Sequence, residues 1–145
     1  MLNKNAIEQL SSLLKLDYDA ARAYKQALDS ISELDIKAHI RKFHDDHMRH
    51  VDNLSEIITN LGGTPPEKSG DIQSLFLSGL SSLQGLFGTG AALKALQGGE
   101  KITNKSYNDA VHQDFSLEIR KVLEGNFRDE QIHIDYINSM LEITL

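Results

Sequence analysis

The chain predicts an all-α protein, a four-helix bundle whose second and third helices are joined by a long crossover. Three observations predict it. The sequence repeats itself at a constant offset of 83 positions, pairing Leu10 with Leu93, Leu13 with Leu96, Leu34 with Leu117, Ile36 with Ile119, Ile40 with Leu123, Ile57 with Met140 and Ile58 with Leu141. Within each copy, apolar residues recur at alternating spacings of four and three, the period of packed antiparallel helices. Leu, Ala and Ile are frequent, aromatics are sparse and there are only two prolines, a helix-forming composition. A chain of 145 residues has the size of one domain. The expected organisation is therefore a single domain over 1–145: a helical hairpin at 5–60, a crossover at 61–87 and a second hairpin at 88–143.

The first helix is expected from about Asn5 to Ser32, with an inward seam of Leu10, Leu14, Asp17, Ala21, Tyr24, Leu28 and Ile31. The second is expected from about Asp35 to Asn60, with Ile40, Phe43, His47, His50, Leu54, Ile57 and Leu61 on its seam. Gly62-Gly63 then ends the helix and Pro65-Pro66 prevents its resumption. From Asp71 a short amphipathic helix with Ile72, Leu75, Phe76, Leu80, Leu83 and Phe87 completes the crossover. If the hairpins are related by a two-fold axis, the third helix starts at the opposite end from where the second stops. The connection must then travel the bundle's length, roughly 35–40 Å. The third helix starts near Gly88 and carries Leu93, Leu96, Glu100, Thr103, Tyr107, Ala110 and Val111, with Gly98 and Gly99 beside Glu100 as a place for a distortion or a close helix approach. The fourth starts near Ser116, a suitable N-cap, and carries Leu123, Glu130, His133, Ile137 and Met140.

The repeat also pairs the residues that carry chemistry. Asp17 and Tyr24 stand where Glu100 and Tyr107 stand, His47 and His50 where Glu130 and His133 stand, and Asp46 where Asp129 stands. Asp17, His47, His50, Glu100, Glu130 and His133 all fall on apolar seams, where an ionisable group costs several kcal/mol unless paired or coordinated. A single histidine on such a seam reads as a hydrogen-bonded core residue, but six such groups on facing seams at repeat-related positions are what a metal site inside a bundle requires. Tyr24 and Tyr107 either orient the carboxylates as hydroxyl donors or are core aromatics. Asp46 and Asp129 either receive the outer nitrogen of a ligand histidine or face water. His39, His44 and His112 lie off the seams and are expected at the surface.

Composition excludes other classes. A net charge of −6 argues against a nucleic-acid partner. The absence of cysteine excludes disulfides, zinc–thiolate sites and iron–sulfur clusters, so any metal must use histidine and carboxylate. No signal peptide is legible at the start, which makes the cytoplasm the expected compartment. The uncharged stretch from Ile72 to Leu93 is half Ser, Gly, Gln and Thr, too polar for a membrane span. A helix buried against its own bundle or against a partner fits it better.

On Asp17-x6-Tyr24, Asp46-His47-Met48-Arg49-His50, Glu100-x6-Tyr107 and Asp129-Glu130-Gln131-Ile132-His133, the chain resembles the ferritin-like, rubrerythrin-related superfamily of di-metal carboxylate proteins over nearly its whole length. With Leu61-Gly-Gly-Thr-Pro-Pro and Asp17-Tyr18-Asp19-Ala20, it is similar to a group of small bacterial ferritin-like proteins of unassigned function. The resemblance implies a ferritin-like four-helix bundle with its long crossover, and two irons. Asp17 and Glu100 would be terminal ligands, His50 and His133 imidazole ligands, and Glu130 a bridging carboxylate. His47 stands where the superfamily has a second bridging glutamate. Three carboxylates and three histidines leave unequal occupancy by iron, or zinc or manganese, as alternatives.

Three functions follow. One is a non-haem di-iron oxidoreductase that reduces dioxygen or peroxide, or a ferroxidase that oxidises iron. Another is metal binding without turnover. A third is a structural bundle working through partners, with the apolar crossover as an interface. Assembly into a homo-oligomer is compatible with each.

Overall fold

The computed structural model describes residues 3–67 and 88–144, and among them every regular element is helical. Four α-helices follow in order: α1 (Asn3–Ala27), α2 (Leu34–Asn60), α3 (Thr89–Val111) and α4 (Leu117–Thr144). The first helix ends sooner than its periodicity predicts, because its last turn tightens into a 3-10 turn at Leu28–Ser30 before Ile31 becomes extended. The amphipathic segment predicted from Asp71 to Phe87, and with it most of the crossover, lies outside the described residues.

The ends of the helices fix the topology. After α2, Gly62 takes φ +92° and its amide bonds the Thr59 carbonyl, while the Gly63 amide bonds that of Ile58. A side chain on Gly63 would meet Ile7 Cγ2 at 2.9 Å. The first glycine thus supplies a left-handed turn and the second a close approach. At the start of α3, Thr89 donates from Oγ1 to Glu33 and accepts from the Ser32 amide. Helix α2 therefore finishes beside the beginning of α1, and α3 begins beside the beginning of α2. These points lie a full helix length apart, about 40 Å for α2 at 1.5 Å per residue. At α4, Ser116 Oγ accepts from the Ile119 amide at 3.3 Å, an N-cap bond.

The pairs α1–α2 and α3–α4 pack as hairpins, and the hairpins meet chiefly through α1 and α3, with α2 and α4 less closely joined. Two apolar clusters fill the interior. One gathers Tyr24, Ile40, Phe43, Leu93, Leu96 and Ile137, and the other Leu10, Leu14, Leu54, Ile58, Tyr107 and Leu123. At one end of the seams the burial shifts by a residue: Ile58 and Leu141 are buried, whereas Ile57 and Met140 are only partly covered. Both hairpins shift alike, because a helix of 3.6 residues per turn drifts against a strict seven-residue pattern. Helix α3 runs unbroken through Gly98 and Gly99, and a side chain at Gly98 would meet nothing within 4 Å among the described residues. Gly99, by contrast, is buried.

Candidate metal centre

Each helix contributes to a polar layer in the bundle's interior. Asp17 comes from α1, His47 and His50 from α2, Glu100 from α3, and Glu130 and His133 from α4. All six are fully buried. The i, i+3 spacings of His47/His50 and Glu130/His133 turn both members of each pair inward from one helix face.

The donor atoms fall into two overlapping groups: Asp17, His47, His50 and Glu130, and His47, Glu100, Glu130 and His133, with the atoms of each group within 4.8 Å of one another. His47 and Glu130 belong to both. His47 donates from Nδ1 to Asp17 Oδ1 at 2.8 Å and from Nε2 to Glu100 Oε1 at 3.0 Å. His50 turns Nδ1 inward, 3.1 Å from Asp17 Oδ1 and 3.3 Å from Glu130 Oε1. His133 also turns Nδ1 inward, 3.4 Å from both Glu100 Oε1 and Glu130 Oε2.

The outer nitrogens are held across the bundle. His50 donates from Nε2 to Asp129 Oδ2, and His133 from Nε2 to Asp46 Oδ2, each at 2.9 Å. Each histidine is thus oriented by an aspartate of the other hairpin. Arg49 donates to both aspartates at 2.9 Å, and Lys42 adds a second cation at Asp46. The tyrosines also cross over: Tyr24 donates to Glu100 Oε1 and Tyr107 to Asp17 Oδ2, both at 2.6 Å. All four residues are hydrogen-bonded, and the two tyrosines belong to the apolar clusters as well. His39 and His112 are exposed and His44 is partly so.

Repeat matching did not single out three further residues. Arg49 is matched with Ile132, Thr103 with Ala20, and Asn126 with Phe43. Thr103 donates to Glu100 Oε2 at 2.9 Å and approaches Glu130 Oε2 at 3.3 Å. Asn126 donates to the Tyr107 hydroxyl at 3.2 Å. Their signal lay elsewhere: a polar residue on an apolar seam for Thr103 and Asn126, and an arginine one turn from Asp46 for Arg49.

The buried imidazoles and carboxylates shift one another's proton affinities. Burial alone would push His47 down, but the charge of Glu130 and bonds to Asp17 and Glu100 raise it to about 10. His50, also opposed by burial, is raised to about 10 by Asp129, Asp17 and Glu130, and His133 to about 11 by Asp46, Glu100 and Glu130. Burial also works against the charged forms of Asp17 and Glu100, yet bonds from the histidines hold both below the ordinary carboxylate range. Glu130 goes the other way, pushed up by burial and then by the neighbouring charge of Glu100. Burial, reinforced by Glu100 and Asp17 respectively, raises Tyr24 and Tyr107 well above the usual phenol value.

The donor set fits a pair of divalent ions. Three imidazolium protons balance three carboxylates, and two dications would replace about the same charge. Glu130 Oε1 and His133 Nδ1 are buried with no hydrogen-bond partner among the described residues. Buried polar atoms are ordinarily paired, and both of these face the interior of the cluster. The inward nitrogens are backed by carboxylates, the arrangement that orients an imidazole ligand.

Comparison with known proteins places the chain. Its fold matches a ferritin-like, diiron-carboxylate protein of Bacillus anthracis at 23% identity and TM-score 0.75, covering 96% of both chains. It matches a conserved hypothetical protein of Mycobacterium tuberculosis, rv2844, at 13% identity and TM-score 0.79, over 97% of this chain and 93% of that one. It also matches a dodecameric thioferritin, the bacterioferritin-related protein of Bacteroides fragilis, at 14% identity and TM-score 0.79, over 97% of this chain and 86% of that one. No curated protein matches the chain. A family model described as a domain of unknown function, DUF2383, matches residues 5–113, so the chain belongs to that family and carries the ferritin-like helical-bundle fold.

Proposed function

We propose that the protein binds two metal ions in this buried layer and uses them in redox chemistry on dioxygen or peroxide, or in oxidising iron. One observation carries the reading: two overlapping four-donor groups, wholly buried, share His47 and Glu130. Asp17 and His50 would serve one ion and Glu100 and His133 the other, with Glu130 as the shared carboxylate. Iron is the proposed metal, supported by the ferritin-like diiron-carboxylate neighbour, with zinc or manganese as the alternatives. Bound iron would supply electrons to a small oxidant. Full burial of all six side chains restricts any reactant to about the size of dioxygen or peroxide. Tyr24, Tyr107 and Thr103 hold the carboxylates in place, and Asp46 and Asp129 hold the imidazoles.

His47 makes the two groups unequal. Its Nδ1 faces Asp17 and its Nε2 faces Glu100, but a neutral imidazole has one lone pair to give. It completes one group at a time, and the ion in that group is held more tightly. A cytoplasmic location and assembly of several copies belong to the same proposal. The dodecameric Bacteroides relative supports the latter, and sedimentation tests it.

Anaerobic ferrous titration with metal analysis, followed by peroxide or oxygen consumption, tests the function. Two inequivalent iron sites are expected, more nearly equal in His47→Glu and lost in Glu130→Ala. Equivalent sites in the wild type, with two irons retained by Glu130→Ala, refute the assigned roles. Iron binding without oxidant consumption leaves a metal-binding protein without turnover.

A further inference from the structure

The repeat that builds the centre is broken on its flanks, and broken differently on the two sides. Beside the Glu100–His133 half stands Phe43, whose ring lies 4.3 Å from that of His133. Tyr136 packs edge-on against Phe43 at 5.4 Å, and His39 stacks on Tyr136 at 4.2 Å. Three rings close this side. The positions matched to Phe43 and Tyr136 by the 83-residue offset are Asn126 and Asn53. Beside the Asp17–His50 half there is therefore a pair of carboxamides in place of the rings. Asn53 donates to Asn126 at 3.4 Å, Asn126 to Tyr107 at 3.2 Å and Tyr107 to Asp17 at 2.6 Å.

The same asymmetry extends outward. Lys42, bonded to Asp46 on the closed side, is matched with Gly125 on the other. A side chain at Gly125 would meet nothing within 4 Å among the described residues. A cleft of about 480 Å³ opens there between α2 and α4, with Asn53, Gly125, Asn126 and the Arg49–Asp129 pair in its lining and Lys121 and Arg128 supplying positive charge beyond that pair. Its one carboxylate, Asp129, is already engaged by Arg49 and His50.

We propose that small anions reach the centre from this side, through the Asn53–Asn126 cleft into the Asp17–His50 half, while Phe43 and Tyr136 seal the other half. The cations draw the anion to the mouth. The carboxamides, able to donate and to accept, replace its water without imposing a charge. This inference rests on the reading of the layer as a metal centre.

The test uses the full chain loaded with Co²⁺ and azide as the anion, followed by stopped-flow visible absorption. Gly125→Leu fills the cleft without touching the six donors, and Gly98→Leu, another helix glycine with open space around it, is the control. Azide entry should slow by about tenfold or more in Gly125→Leu, with Co²⁺ stoichiometry unchanged, and stay at the wild-type rate in Gly98→Leu. The double variant Lys121→Glu/Arg128→Glu should slow entry and flatten its dependence on salt. Tyr136→Ala should open a second path and speed entry. Loaded wild-type protein that takes up no azide, or Gly125→Leu that takes it up at the wild-type rate, overturns the one-sided route and leaves the metal centre standing. Failure to bind Co²⁺ at all overturns both.

Discussion

Loading the centre with a divalent metal at pH 7 should release at least three protons. His47 and His50 each face carboxylate oxygens with both ring nitrogens. His133 faces Asp46 with one nitrogen and Glu100 and Glu130 with the other. Carboxylates facing both nitrogens of each ring favour the doubly protonated form, and the raised values of about 10, 10 and 11 have this cause. A metal taking a lone pair must displace one proton from each ring. At pH 7 a proton held at about 10 opposes the metal by about three decades in affinity, each decade being about 1.4 kcal/mol. The three rings share carboxylates, so their contributions do not simply add. Metal affinity should nonetheless climb about tenfold per pH unit for each ring displaced. Calorimetric titration with Zn²⁺, in buffers of different ionisation heats, reads the proton count directly. Replacing His133 with Asn should lower the count by one. A buffer-independent heat, meaning no proton release, would refute both the charge state and the ligand role of the histidines.

Three further outcomes are expected. Without metal, the histidines titrate higher in the folded chain than at their ordinary value of 6.5, so the stability they contribute is complete below pH 6.5. It declines by about 1.4 kcal/mol per unit for each group as pH rises toward 10; the lowered Asp17 and Glu100 withdraw theirs as pH falls below about 4. Denaturant melts across pH check this, and a metal-free protein that gains stability from pH 7 to 9 contradicts it. Arg49→Met should weaken metal binding by about 10–100-fold. The Asp129–His50 half should lose more, because Lys42 still supports Asp46; chelator competition measures the two steps, and equal losses count against the clamp. Gly125→Ala should stabilise α4 by about 0.5–1 kcal/mol, whereas Gly62→Ala, at φ +92°, should destabilise by at least that much, as thermal melts would show.

The sequence alone determined the four helices and their inward faces, because helix seams and a gap-free repeat are one-dimensional patterns. It also singled out Asp17, His47, His50, Glu100, Glu130 and His133, because an ionisable residue on an apolar seam stands out as soon as the period is known. For Tyr24, Tyr107, Asp46 and Asp129 it left two alternatives each, since a side chain's partner across a bundle has no local signature. Only tertiary structure decided those: Asp46 reaches His133 and Tyr107 reaches Asp17 across separations of 87 and 90 residues. The same holds for Arg49, Thr103 and Asn126. A repeat reveals what the two halves share, and these three stand where the halves differ. Packing two repeat-related hairpins around one centre makes each such difference a difference between its two sides. The chain thus encodes the positions of the six buried ionisable side chains in its repeat, and the difference between the two flanks in Phe43 against Asn126 and Tyr136 against Asn53, legible only once the helices are set side by side.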